Sequence, residues 1–334
     1  MVLPARPNFE LGLCDPSAGP YDAGIQAFDL ALEEDCRPWL TNDGATTSSI
    51  VEARQAGRLL AALPLMRGSD GWIASEPVLR SDLRAPLPAR PVVLDALIDL
   101  ALSVAGKQRV QFLDLYQQGA TQHALSSEAQ RRRLTIDTAP ARGEYEVDLS
   151  GGWEHTLARF SLNRRDQVQR WLNALQTGLF EATELRAPDQ IRSTISAVCS
   201  LGDREGARRG GFFASDRARS LFRRHCLALA DRRRLSLWTL RQDGALLAFL
   251  ALVVKRDDAW QFAAGSERLL SVFEHLPVLQ VAAWRALSQR GLKRYVVADG
   301  KLTQPREWNA YYRAGVRVML KSPTWPSRWR PWSN

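Results

Sequence analysis

Apolar and polar positions along this chain change period several times, and each change marks an element. Ser48 to Arg54 reads as a β-type run, Gln55-Ala56-Gly57 supplies a turn, and Arg58 to Met66 returns as a second strand. Gly71 to Ala74 gives a short third strand. A Pro- and Arg-rich stretch, Leu83 to Pro91, reads as loop. Pro91 suits a first helical position, and Val93, Leu94, Leu97, Ile98 and Ala101 then recur at helical spacing. Val110 to Leu115 reads as strand, and Thr121 to Arg133 as a helix whose three closing arginines suit its negative end. Tyr145 to Leu149 alternates like a strand and stops at Ser150-Gly151-Gly152. Helices over Trp153 to Phe160 and Asn163 to Gln176 follow.

The order is sharper beyond residue 177. A strand from Gly178 to Leu185 leads into a helix from Pro188 to Ser200. A Gly/Arg loop separates it from a second helix, Ser215 to Asp231, on which Ala218, Leu221, Phe222, His225 and Leu229 share a face. Leu235 to Arg241 and Ala245 to Val254 flank Gln242-Asp243-Gly244, and Asp-Gly between apolar runs is a strong hairpin signal. Ala259 to Ala264 is a third strand, Phe273 to Gln289 a helix ended by Gly291, and Lys293 to Ala298 a further strand. A short helix over Pro305 to Tyr312 and a strand over Val316 to Leu320 complete the reading. The first half repeats this order loosely, with no residue-level repeat.

Composition narrows the class. Of 334 residues, 45% are hydrophobic and 24% charged, as in globular proteins, and the length suits about two cores. No apolar run reaches the ~20 residues that span a bilayer, and the first residues show no basic-then-apolar leader. The expected location is cytoplasmic. Cys14, Cys36, Cys199 and Cys226 are widely separated with no CxxC spacing, so no metal or disulfide framework is expected, and Cys199 and Cys226 read as small core residues on helices. The net charge of +9 rests on arginine and favours phosphate-bearing, lipid or nucleic-acid ligands without choosing among them.

Several segments together resemble the GNAT-related acetyltransferases of the cellulose-biosynthesis (CelD/BcsL) type, which are close in fold to the FemABX peptidyltransferases. The carrying segments are Leu237 to Gly244 leading into Ala245 to Ala248, Trp260 to Gly265, and Gln289 to Tyr295 with Asp299-Gly300 and Pro305-Arg306-Glu307-Trp308. The basic run Asn163 to Arg170 falls where that family has an Arg-rich linker helix, and Leu60 to Leu65 resembles a strand of its first half. The resemblance implies an α/β fold of two tandem GNAT-like domains, each a mixed, largely antiparallel sheet flanked by helices. The expected division is 1–150, a basic helical linker over 151–177, and 178–334. It also implies transfer of an acyl group from a thioester, acyl-CoA or carrier-bound, to an amine or hydroxyl in polysaccharide, cell-envelope or secondary-metabolite assembly. No metal is implied.

Acyl transfer in such a fold needs polarising backbone donors, a base and an acid. His275, Asp299 and Tyr295 are the candidates for proton transfer. Gly265, Ser266, Arg268, Ser271 and Arg306 are candidates for holding the donor, and Arg164, Arg165, Trp260 and Trp308 for the acceptor. Arg208-Arg209-Gly210-Gly211-Phe212 is a further place suited to oxyanions. The tail Thr324 to Trp332 interleaves tryptophan and arginine, which suits contact with a membrane surface. Between Gly265 and Pro277 there is no Arg/Gln-x-x-Gly-x-Gly/Ala turn to cradle a pyrophosphate, and Glu274 would repel one. Two alternatives follow: a FemABX-like transferase drawing on aminoacyl-tRNA, and a non-catalytic scaffold with a degenerate site.

Overall fold

A computed structural model describes residues 10–14, 47–56, 58–68, 71–74, 78–79, 89–206, 216–255, 257–267, 274–298 and 302–321. The chain forms two compact units, Met1–Gly143 with Ala314–Asn334, and Glu144–Arg313. The fold is the expected mixed α/β class, built on largely antiparallel sheet with flanking helices.

Unit 1 contains β1 (Glu10–Cys14), β2 (Thr47–Gln55), β3 (Arg58–Gly68), β4 (Gly71–Ala74), β5 (Val78–Leu79), α1 (Ala89–Ala105), β6 (Arg109–Tyr116) and α2 (Ala120–Arg132). Its strands run β1-β2-β3-β4-β6, and the C-terminal strand β13 (Tyr311–Lys321) joins antiparallel to β6. Ala56 takes the left-handed conformation at the β2–β3 turn. Helix α1 crosses between the parallel strands β4 and β6 and buries Leu94, Leu97, Ile98 and Ala101 against Val51, Leu63, Phe112 and Val318. It starts two residues before Pro91. Arg131 and Arg132 at the end of α2 reach Glu128 and, on α1, Asp99, and Arg133 closes the helix in the left-handed region.

Strand β7 (Thr135–Asp148) runs through the divide and supplies the first strand of unit 2. It is far longer than the alternation at Tyr145 to Leu149 suggested, because Pro140 and Gly143 break the sequence pattern while the backbone stays extended. Next come α3 (Gly152–Ala158), α4 (Leu162–Gln176), β8 (Glu181–Leu185), α5 (Pro188–Gly206), α6 (Asp216–Asp231), β9 (Leu235–Gln242), β10 (Ala245–Lys255), β11 (Asp258–Ser266), α7 (His275–Gln289) and β12 (Arg294–Ala298). The strand order is β7-β12-β11-β10-β9-β8, with β11 and β12 the parallel pair. Asp243 and Gly244 both take positive φ, 49° and 78°, as a two-residue hairpin turn requires.

Alternate side chains of β9 and β10 serve opposite faces. Trp238, Leu240, Leu250 and Leu252 join the core beneath α3, α4 and α7. On the other face Phe249 meets Phe222 of α6 at 6.1 Å, and α5 packs on β10 and β11. Cys226 is buried there as expected, and Cys199 is half-buried.

Two expectations fail. Leu201 to Glu205 continues α5 instead of forming a loop; the Gly/Arg stretch beyond it lies outside the described residues. Pro305 to Tyr312 is not a helix. Gln304 and Asn309 take left-handed φ (50° and 49°), the bonds Glu307 N to Gln304 O and Asn309 N to Arg306 O close tight turns, and Tyr311 already begins β13.

Candidate active site

Strands β11 and β12 pair in parallel over four residues, from Asp258↔Arg294 to Gln261↔Val297, and then part. Strand β11 runs on to Ser266, paired only with β10. The parting coincides with an irregularity. Ala251 of β10 faces Ala263 and Leu252 faces Gln261, so Phe262 is an extra residue in the strand. A bulge of this kind bends its strand and raises the local twist, turning β11 away from its neighbour. From Phe262 to Gly265 the edge of β11 toward β12 carries peptide N–H and C=O groups with no strand partner among the described residues. Such groups need hydrogen bonds. An extended ligand with amide groups can supply them as an added strand would.

A buried polar cluster holds the apex of the opening. Tyr295 of β12, fully buried, donates its hydroxyl to Gln261 Oε1, and Gln280 of α7 donates to the same oxygen at 3.3 Å. Burial pushes the Tyr295 phenol well above its ordinary value, so it stays protonated and acts as a donor. Trp284 of α7 stacks edge-on to the Tyr295 ring at 5.3 Å. One strand, the crossover helix and the neighbouring strand thus meet on a single amide oxygen.

At the open end, His275 begins α7 yet is only 3% exposed. Its Nδ1 lies 3.3 Å from the carbonyl oxygen of Glu267, just past the end of β11, and its ring packs edge-on against Phe180 at 5.8 Å. Gly265 and Ser266 lie two and one residues before Glu267, so the structure brings Gly265, Ser266 and His275 to one end of the opening and Tyr295 to the other. Trp260 lies in the paired part of β11, half-buried. Asp299, Arg268 and Ser271 lie outside the described residues.

The residues expected to hold an acceptor are placed differently. Arg164 of α4 is 1% exposed, and its guanidinium lies 4.3 Å over the Trp308 ring. It bonds Gln167 at 2.6 Å, Gln304, and Glu307 at 2.5 Å, which fastens the turn after β12 to α4. Its Nε is buried with no hydrogen-bond partner. Trp308 is equally buried, edge-on to Phe160 and Trp284, with its indole N–H on Thr303 O. Arg165 donates to Phe160 O at 2.8 Å, and Arg306 is exposed on the turn.

Gln261 and Gln280 escaped the sequence reading. The signal available was a glutamine at each inward position of otherwise apolar runs, Ala259-x-Gln261 and Val278-Leu279-Gln280-Val281, since a buried amide demands a partner. No group of His, Cys, Asp and Glu able to hold a metal occurs among the described residues, nor any helix long and apolar enough to cross a membrane.

Antiparallel strands, one parallel pair joined by a crossover helix, and a parting of that pair beyond a bulge define the GNAT class of fold. Residues 162–302 match the model of the acetyltransferase (GNAT) domain family. Among solved structures, the chain is similar to the C-terminal (DUF2156) domain of a putative lysylphosphatidylglycerol synthetase from Agrobacterium fabrum, with TM-score 0.60, 12% identity, and coverage of 90% of this chain and 91% of that one. It is also similar to L-PGS from Bacillus licheniformis (TM-score 0.60, 9% identity, 93% and 94% covered) and to FemX (TM-score 0.59, 10% identity, 89% and 96% covered). At these identities the likeness is one of fold. No curated protein matches the sequence significantly.

Proposed function

We propose that the β11–β12 opening is the donor site of an acyltransferase of the CelD/BcsL type. It takes an acyl thioester, acyl-CoA or carrier-bound, and passes the acyl group to an amine or hydroxyl acceptor in polysaccharide, cell-envelope or secondary-metabolite assembly. The observation that carries this reading is the overrun of β11 beyond Gln261↔Val297 with its bulge at Phe262. The amide-bearing arm of such a donor fits the free strand edge from Phe262 to Gly265. When bound, the thioester supplies the activated carbonyl.

In this reading the chain's own groups do the rest. Peptide N–H groups of β11 polarise the carbonyl, a contribution worth roughly a hundredfold or more in rate per donor. His275, oriented at the open end through the Glu267 carbonyl, serves as proton acceptor, and Asp299 as proton donor. The Tyr295 phenol, committed to Gln261, fixes the depth of the apex. Gly265, Ser266, Arg268, Ser271 and Arg306 contact the donor. Arg165 and Trp260 contact the acceptor, while Arg164 and Trp308 hold the turn after β12 in place for it.

Calorimetry and intact-mass assays of the full chain with a panel of acyl-CoAs and acyl-carrier thioesters test this, with saturable binding and an acylated acceptor expected. Absence of both binding and transfer would sink it and leave the scaffold reading. The net charge of +9 favours a second reading, aminoacyl transfer from charged tRNA. That reading requires tRNA affinity that falls steeply with salt, since bound counterions are released. Salt-independent binding rejects it.

A further inference from the structure

At the other end of α7 from His275, unit 2 has a groove of about 790 Å³ between α4, the start of β8, and the last turns of α7. That volume lies within the roughly 300–1,000 Å³ of small-molecule sites. One side is apolar: Leu172 and Leu175 of α4, Phe180, and Trp238 of β9. Ala282 and Ala286, four apart on α7, leave the space open. The wall is set before any ligand arrives. The Trp238 indole N–H is held by Ser236 Oγ at 2.8 Å, Ser236 in turn donates to Glu184, and Glu184 accepts from Arg290 at 2.8 Å.

The groove's charges are asymmetric. Glu181 stays charged but sits exposed on the rim, where water screens it and Thr183 donates to it at 3.1 Å. Arg285, which lines the groove and is half-buried, has no acidic partner among the described residues. Gln176 and Gln289 flank it, exposed, with further donors. A guanidinium left without a counter-ion beside an apolar wall selects an anionic head on an apolar body.

We infer that this groove binds an amphipathic monoanion: a single alkyl chain seated along Leu172, Leu175, Phe180 and Trp238, with a carboxylate or phosphate head on Arg285. The groove adjoins the thioester opening through Phe180, which packs on His275, and its ligand does not depend on the reading of that opening. Isothermal titration of the full chain with monomeric laurate, dodecyl phosphate and dodecyltrimethylammonium tests the inference. One-site binding of at least one of the two anions is expected, roughly tenfold or more tighter than the cation. Arg285→Gln weakens it by about tenfold, the worth of one charge-assisted hydrogen bond. Ala286→Phe fills the groove and abolishes binding, with the thermal midpoint of both variants unchanged. The inference is overturned if neither anion saturates the protein, if the cation binds as tightly, or if either variant keeps full affinity.

Discussion

The two units solve the same topological problem with different outcomes. Each passes from a strand through a helix to a parallel neighbour: β4 to β6 through α1, and β11 to β12 through α7. In unit 1 the register covers all of β4, from Gly71↔Arg109 to Ala74↔Phe112, and the other edge of β4 is paired with β3 along the same four residues. Among the described residues β4 is paired on both edges along its whole length. In unit 2 the parallel register is also four residues long, but β11 continues past it with no strand partner on that edge over Phe262 to Gly265 among the described residues. The apex differs too. Unit 1 closes over Leu97, Ile98 and Phe112, whereas unit 2 closes over a shared amide oxygen. In unit 2 the opening lies where β11 outlasts its partner, and the one extra residue of the strand falls at that point.

The contrast can be broken experimentally, most severely at the bulge. Deleting Phe262 restores an even register and should reduce acyl-thioester affinity and turnover by on the order of a hundredfold or more, through lost and misplaced backbone donors. Phe222→Leu loosens the contact of the Phe222 ring with the Phe262 ring, 6.0 Å in the native protein, without altering the backbone, and should leave affinity intact. If the deletion binds donor normally, the opening is not the site.

Trp284→Ala should cost about 3–5 kcal/mol, read by denaturant unfolding, because Trp284 is fully buried between Tyr295, Phe160 and Trp308. Its counterpart on α1, Leu97→Ala, should cost a comparable 2–5 kcal/mol or so. Only the first should also change donor affinity. Equal effects on affinity would mean that unit 2 has no special claim to the chemistry.

Replacing Arg164 by methionine should cost about 2–3 kcal/mol, since it leaves Gln304 and the part-exposed Glu307 without their cation. Urea titration measures it.

Acid stability separates the units again. In α6 of unit 2, burial and then the nearby Arg224 charge hold the His225 imidazole down, to about 3. The unfolded chain takes up that proton near pH 6.5 and the folded chain does not. Between these values the unfolded state binds more protons, so the His225 contribution is intact above pH 6.5 and is lost as pH falls toward 3. The slope is at most about 1.4 kcal/mol per pH unit. His225→Leu should flatten it in a pH series of urea melts. The smallest effect is expected for Asp231→Asn, which breaks an exposed pair with Arg192 and should cost under about 1 kcal/mol.

Much of this fold is legible in the sequence. The Asp243-Gly244 hairpin, the stop at Gly291 and the periodic faces of α1 and α6 are local matters, fixed by which backbone angles and spacings those residues favour. The Gln304 and Asn309 turns were not legible, because left-handed non-glycine positions are imposed by their surroundings, here the Arg164–Glu307 tie and the start of β13. Arg164 looked like a solvated or ligand-facing cation for the same reason. A basic run shows its charge but not the tryptophan it will stack on.

The sequence by itself determined the α/β class, the order of most elements and the apolar faces, since propensity and periodicity act over a few residues; β1, β5 and the turns at 304–310 were not among them. Only the tertiary structure decided that β11 outlasts β12, that Phe262 is the extra residue, and that Gln261, Gln280 and Tyr295 converge on one oxygen. Register and bulges depend on which strand lies alongside, and the residues of that apex are 19 and 34 positions from Gln261 in the chain. No window of sequence spans a distance that folding alone brings down to a hydrogen bond.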